Sequence, residues 1–354
     1  MNAAFDARIP FLPPAAQSAR RVLVTGGAGF IGSHVCEALH ENGHEVAVID
    51  DLNDFYSPDD KRRNLEAASR GRQLYFAQCD ICDYEKVWPL VESFRPSVIV
   101  HLAARAGVQP SLHSPLLYES VNVSGTLVLL EAARRAGVEQ FIFASSSSIY
   151  GASKAIPFRE DNAELLPISP YAATKIAGEK LCFTYSHLYG IRATCLRFFT
   201  VYGPRQRPDL AIRRFAELID RGEPVPVFGD GSTSRDYTFI RDAVSGIVSA
   251  LRYRGAYEVF NIGCSRPVPL LQLIKELEDL LGKRATIDWR PAQPGDAPIT
   301  YADTSKARLG LGFEPSTTLR EGLAEFVAWQ RDYMAATARS SGAGRVDERL
   351  RVAG

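Results

Sequence analysis

The stretch Val22-Leu23-Val24-Thr25-Gly26-Gly27-Ala28-Gly29-Phe30-Ile31-Gly32 runs from a short apolar strand through a glycine cluster into a helix that reads as residues 30–39. Glycine spacing acquires meaning only between a strand and a helix, and this cluster has both neighbours. Further apolar runs follow at residues 46–49, 74–77, 98–102, 140–145 and 193–198. Between them lie helical patterns, notably residues 84–92, 115–136 and 170–189. Strands alternating with helices predict βαβ crossovers, hence an α/β fold of the Rossmann type: a parallel sheet with helices on both faces.

From about Tyr202 the texture changes. Prolines and glycines become frequent (Gly203-Pro204, Pro208, Pro224, Pro226, Gly229, Gly231), and helices are joined by irregular segments. A helix at 242–251 and a strand at 258–262 read as a return to the sheet. The expected division is residues 21–202 with 236–264 as a dinucleotide-binding domain, and 203–235 with 265–335 as a smaller, mostly C-terminal α/β substrate domain. Helices at 270–281 and 319–333 belong to the latter. Residues 1–19 and 340–354 are expected to be flexible termini. No internal repeat is evident.

Composition narrows the function. The 354 residues are 46% apolar, enough for a sizeable core, and carry 41 basic against 41 acidic side chains. A balance near zero gives no reason to expect nucleic acid or an anionic membrane as partner. No run approaches the roughly 20 apolar residues of a membrane span, and the first twenty residues lack a secretory pattern. Six scattered cysteines read as reduced thiols of a cytoplasmic protein. Cys79 and Cys82 are close in sequence, but no second pair completes a metal site, so no metal is expected.

The glycine cluster reads as a phosphate cradle. Gly26 makes the tight turn, Gly29 lets backbone approach a pyrophosphate, and Gly32 lets helix and sheet pack closely, with Phe30 and Ile31 opening the helix. Asp50, eighteen residues after Gly32, ends the second strand, placed to accept from both hydroxyls of a ribose. Its charge would repel a 2′-phosphate, so NAD is favoured over NADP. Asn53 follows in the same loop. Asp80 and Ile81 read as adenine contacts, with a helix-capping aspartate as the alternative.

Tyr171 and Lys175 stand four apart at the start of a long helix, hence on one face. A free phenol has a pKa near 10, so a tyrosine serving as base at neutral pH needs a cation beside it. Four serines in a row, Ser145 to Ser148, leave the strand before that helix, where parallel sheets bind their ligands.

Taken together, the glycine cluster, the serine run, Tyr171 with Lys175, and Arg197-Phe198-Phe199-Thr200-Val201-Tyr202-Gly203-Pro204 resemble the extended short-chain dehydrogenase/reductase superfamily and its NAD-dependent nucleotide-sugar epimerases. The resemblance spans residues 21–335. It implies Ser146 as the catalytic hydroxyl, Tyr171 as base and Lys175 as its partner and a ribose ligand. It also implies Leu102, Ala103 and Ala104 as a loop passing the cofactor, and Asn122 as a structural or ligand-facing residue counted with the cofactor set. Arg235 would grip the substrate diphosphate and Asp296 the nucleotide ribose. One departure stands out: Gln293 occupies the place of a second phosphate-binding arginine, and nearby Arg290 is an uncertain substitute. The family also suggests a homodimer through helices 115–136 and 170–189.

Within that family, the residues after Ser146 discriminate. Dehydratases resemble one another in an Asp-Glu pair there, and UDP-glucuronate decarboxylases in a glutamate two residues on; this chain has Ser147 and Ser148. C4 oxidation and re-reduction remains, with NAD held and regenerated each cycle. The stretch 50–56 and the segment 198–209 are most similar to UDP-glucuronate 4-epimerases. Thr200, Arg207, Ser147 and Ser148 would hold the C6 carboxylate, unless Arg207 merely decorates an exposed proline-rich loop. A UDP-glucose/UDP-galactose or N-acetylated-sugar 4-epimerase, a net oxidoreductase and a non-catalytic NAD sensor are the alternatives.

Overall fold

The computed structural model describes residues 19–69, 71–162 and 165–350, with side chains as far as 337. Twelve strands lie among them: β1 (Arg21–Thr25), β2 (Glu45–Asp50), β3 (Leu74–Gln78), β4 (Val98–His101), β5 (Gln140–Ser146), β6 (Arg192–Phe198), β7 (Thr200–Tyr202), β8 (Val225–Phe228), β9 (Ser234–Phe239), β10 (Tyr257–Ile262), β11 (Pro267–Pro269) and β12 (Ile287–Arg290). Seven of them form one sheet in the order β10-β6-β5-β4-β1-β2-β3, every pair parallel. The chain builds outward from β1 to β3, then steps back past β1 to β4. That reversal opens a crevice beyond Thr25 and His101, which sit side by side in the β1–β4 register.

The inner strands read as unbroken apolar runs because both faces are covered: Val22, Val24, Val98, Ile99 and Val100 are fully buried. β3 is apolar too, but as the edge strand it leaves Tyr75 and Phe76 about two-fifths exposed. The glycine cluster behaves as its spacing implies. Gly26 has φ +72°, and a Cβ there would lie 2.7 Å from the backbone nitrogen of Ala103. A Cβ on Gly32 would lie 2.1 Å from the carbonyl oxygen of Gly26, so helix Phe30–Glu41 packs on the turn only if that residue has no side chain.

Three expectations need correction. The helix expected over 115–136 is interrupted by a wide π turn, Ser120–Ser124, between Pro115–Glu119 and Gly125–Ala136. The turn tucks Asn122 beneath the neighbouring loop, which apolar periodicity does not encode. Second, Thr200–Tyr202 and residues 236–239, which the expected division groups with the dinucleotide-binding domain, lie outside the large sheet. β7 pairs with β9 and β9 with β11 in a separate three-stranded sheet, and β8 pairs with β12; only helix Ile240–Ala250 and β10 return. Strand propensity marks a segment as extended without naming its partner. Third, the last helix runs from Leu319 to Leu350, so the backbone of 340–350 is helical. Isolated glycines weaken a helix by about 1 kcal/mol each, whereas no proline stands there to stop it. Residues 1–18 and 351–354 lie outside the described residues.

Candidate active site

The crevice is a cavity of about 450 Å³ between the carboxyl ends of the large sheet and the smaller sheets. At its cofactor-like end, helix Phe30–Glu41 begins at Gly29 with no side chain capping its first turn and no acidic residue there. Free N–H groups and the helix dipole therefore face the cavity, an arrangement suited to a pyrophosphate. A Cβ on Gly29 would meet only the Gly26 carbonyl oxygen, at 3.1 Å, leaving room for close approach. The helix carrying Tyr171 is built differently: the Ser169 hydroxyl accepts from the Ala172 amide and closes that terminus.

Asp50 ends β2 with one carboxylate oxygen accepting from the Ala28 amide at 3.1 Å and the other from the Leu52 amide at 2.9 Å. Burial raises its pKa, while the Leu52 amide and nearby Lys61 oppose the rise. Each oxygen keeps a second lone pair for a ribose hydroxyl. Gly26, Gly29, Phe30, Ile31 and Gly32 line this end with Asp50 and Asn53. Asp80, Ile81, Leu102, Ala103 and Ala104 form the facing wall. Asp80 is not a helix cap; it accepts from the Cys82 amide, and Asp83 caps the next helix.

Asn122 is the exception among the expected cofactor ligands. It does not line the cavity and is 2% exposed. Its carbonyl oxygen accepts from the Arg105 amide at 2.8 Å; its NH₂ donates to the Arg105 carbonyl at 2.9 Å and to the Thr174 hydroxyl at 3.0 Å. These bonds use both amide hydrogens and one lone pair of the oxygen, and they hold the loop at Arg105, which reaches the cavity.

The residues expected to react gather where β5 ends. The Ser146 oxygen accepts from both the amide and the hydroxyl of Ser148, at 3.2 and 2.9 Å. With its acceptor sites used, its own hydrogen is directed outward. Tyr171 is half-buried in the cavity wall, its ring edge-on to Tyr118 with centroids 6.1 Å apart. Burial raises the Tyr171 phenol, while the Ser146 hydrogen bond and the Arg207 guanidinium pull it down. Lys175 donates to the Ala144 carbonyl at 2.8 Å and sits 5.9 Å from the centre of the Tyr171 ring. Burial lowers its pKa to about 8, with Cys182 and Glu179 acting in the opposite sense.

Ser147, Ser148, Thr200, Arg207, Arg235 and Asp296 all line the other end. Arg207 is no surface ornament: its side chain is 17% exposed and stacks over Phe55 at 5.3 Å. Its Nε and Nη2 donate to Asp209 at 2.9 and 2.7 Å, leaving the Nη1 edge. Burial works against its charge, but Asp209 more than offsets that and raises its pKa. Arg235 and Asp296 approach to 4.0 Å. Arg290 does not line the cavity and pairs with Asp288, so it does not stand in for an arginine at Gln293.

Sequence reasoning did not single out Phe55, Tyr56 and Lys61 as lining residues, nor Glu179 behind Lys175. The first three lie in or just beyond the quoted 50–56 stretch. Glu179 was visible as the next member of the Tyr171–Lys175 helical face. His101 bridges Thr25 and Thr126 at 2.7 and 3.0 Å; burial first, then Lys175, lowers its pKa to about 3. All six cysteines are free thiols.

Comparison with known proteins matches this architecture. The model of the NAD dependent epimerase/dehydratase family fits residues 22–263. A UDP-glucuronate 4-epimerase of Thermodesulfobacterium geofontis is 42% identical over 311 residues, covering 88% of this chain and 96% of its own. The structure of UDP-glucuronic acid 4-epimerase from Bacillus cereus, in complex with UDP-glucuronic acid and NAD, superposes with a TM-score of 0.82 at 36% identity, covering 88% of this chain and 99% of that one. A UDP-glucose 4-epimerase of Thermotoga maritima with UDP-glucose also reaches 0.82, at 37% identity and 89% and 99% coverage.

Proposed function

The chain belongs to the NAD dependent epimerase/dehydratase family, and we propose that within it the protein is an NAD-dependent 4-epimerase that interconverts UDP-glucuronate and UDP-galacturonate. The observation that carries this reading is the Arg207 guanidinium within electrostatic reach of Tyr171, beside a Ser146 followed by two serines. A cation fits a C6 carboxylate, and the missing carboxylates deprive elimination or assisted decarboxylation of its acid and base.

NAD supplies, when bound, a reversible acceptor for the C4 hydride. Gly26, Gly29, the open first turn of helix Phe30–Glu41 and Asp50 would hold its pyrophosphate and ribose. Lys175 favours the Tyr171 phenolate by its charge, and the outward Ser146 hydrogen steadies the oxygen at C4. Tyr171 would take the proton of the 4-hydroxyl as C4 gives up its hydride to the bound dinucleotide, and the two losses together leave a transient 4-keto sugar. Arg235 and Asp296 would keep the nucleotide end while the sugar turns its opposite face, and Tyr171 would return the proton to the oxygen as the hydride comes back to C4 on that face. Because a 4-keto glucuronate is a β-keto acid, the grip of Arg207, Thr200, Ser147 and Ser148 on the carboxylate also protects it from losing CO₂.

A second reading has its own support. Arg207 is already neutralised by Asp209, so a sugar without a carboxylate would not strand a buried charge, and UDP-glucose is the competing substrate. The experiment is incubation of the purified protein with UDP-glucuronate and UDP-glucose, following the C4 epimer by chromatography and released CO₂. Turnover of UDP-glucose with indifference to UDP-glucuronate would overturn the choice of the acid.

The proposal includes a homodimer in the cytoplasm. Leu116, Leu127, Phe183 and Leu188 are exposed by 40–83% on helices Pro115–Glu119, Gly125–Ala136 and Pro170–Tyr189, and pairing two copies would cover them. Among the described residues no helix is long and apolar enough to cross a membrane. A monomeric mass by light scattering would sink the dimer.

A further inference from the structure

Behind the reacting groups lies a charged cluster that hydride transfer does not itself employ. Glu179, one turn after Lys175 on the same helix, is 2% exposed. One carboxylate oxygen accepts from Arg197 Nε at 2.9 Å and from the Ser145 hydroxyl at 2.6 Å; the other accepts from Arg197 Nη2 at 2.9 Å. Arg197 stands opposite Ser145 in the β5–β6 ladder. Its Nη1 donates to the Tyr150 hydroxyl at 3.0 Å, which donates onward to Asn261 at 2.7 Å. Taking two charges out of water costs about as much as their attraction returns, so stability alone is a poor account of such a pair.

The geometry supplies another account. Helix Pro170–Tyr189 is fastened to β5 at two consecutive residues: Lys175 bonds the Ala144 carbonyl, and Glu179 bonds the Ser145 hydroxyl. The next residue is Ser146, and one turn back along the helix is Tyr171. Both fastenings therefore set the placement of Tyr171 against Ser146. Lys175 is faced by Tyr171, Glu179 and Cys182 from its own helix, by the Phe143 ring of β5 at 5.1 Å, and by the neutral His101 of β4. Glu179 is the one carboxylate among these neighbours.

We propose that Glu179 is a positioning residue for the epimerase reaction. With Arg197 as counter-ion it locks the helix of Tyr171 and Lys175 in register with the strand end bearing Ser146, and it keeps a negative charge one turn behind the buried ammonium. The proposal rests on Tyr171, Ser146 and Lys175 being the reacting groups. Removing the charge leaves Arg197 unbalanced, and both changes disfavour the Lys175 cation. The alkaline limb of turnover, set by loss of the Lys175 proton, must then move to lower pH.

The test uses the full-length NAD-loaded protein, comparing Glu179→Gln and Ser145→Ala with wild type for kcat, KM and pH profile on UDP-glucuronate, alongside melting temperature. For Glu179→Gln we expect kcat to fall about 10–100-fold, because small misplacements are costly in proton and hydride transfer, with KM within about threefold and the alkaline limb lowered by about one pH unit. For Ser145→Ala, which keeps the charge, we expect a loss in kcat of about 3–10-fold with the limb unmoved. A Glu179→Gln protein that melts earlier but turns over with wild-type kcat and pH profile would reduce the cluster to a structural role. Should that variant not fold, wild-type kcat in Ser145→Ala overturns the positioning claim. Wild-type protein inert toward every UDP-sugar would instead sink the functional reading on which the claim stands.

Discussion

The two ends of the cavity are built by different means. The cofactor end is made largely of backbone: a glycine turn, an uncapped helix start, and one carboxylate whose orientation two amides dictate. The sugar end is made of side chains from separate segments, with Ser147 and Ser148 after β5, Thr200 on β7, Arg207 in the following loop, Arg235 on β9 and Asp296 beyond β12. Backbone recognition is local and rigid, and it leaves a fixed signature in the chain. Side-chain recognition is assembled at a distance, so small substitutions retune it, which is where relatives acting on different sugars are free to diverge.

If this contrast is right, damage at the junction should outweigh damage at either end. Tyr171→Phe removes the proton carrier, and kcat should fall about 10²–10⁴-fold. The purified variant should still carry its dinucleotide, measured by absorbance after denaturation. Loss of the dinucleotide would mean the junction also builds the cofactor end.

Next in size comes the sugar end. Arg207→Ala should lower kcat/KM for UDP-glucuronate by about 10²-fold, the scale for truncating one member of a buried charge pair. UDP-glucose should lose much less, apart from a slower proton step as Tyr171 forfeits a nearby cation. Equal losses on both substrates would place Arg207 in general catalysis and leave the acid unexplained.

The cofactor end is probed by Gly32→Ala. Its new methyl would have to displace backbone, at a cost of about 1–3 kcal/mol, so NAD affinity should fall about tenfold or more together with the melting temperature. Wild-type NAD affinity would show the turn to be more yielding than its contacts suggest. The smallest effect concerns His101, which pins β1 to β4 in its neutral form. Its folded pKa, about 3, lies below its ordinary value of 6.5. The unfolded chain therefore binds the extra proton first, and stability is lost as pH falls below about 6.5, by about 1 kcal/mol over the first unit. His101→Gln should flatten that part of the melting-temperature profile.

Legibility in sequence follows the same division. Gly26, Gly29, Gly32 and Asp50 were readable because a strand–turn–helix imposes its spacing within some thirty residues. Tyr171 and Lys175 were readable because helical periodicity puts them on one face. Asn122, expected as a structural or ligand-facing residue, lies off the cavity lining because the π turn folds it under Arg105, which a name and position do not reveal. That β7 and β9 pair with each other in a separate sheet was not legible, because an extended segment carries no record of its neighbour.

The chain on its own therefore gave the α/β order, and it marked a candidate dinucleotide cradle and a candidate proton-transfer pair, since each depends on residues that are neighbours along one strand, turn or helix. It took folding in three dimensions to bring Arg207 and Tyr171 to one cavity and to set the Glu179–Arg197 pair behind Lys175. Those contacts join residues far apart in sequence, and electrostatics at such sites depends on distance and burial, neither of which a linear spacing contains.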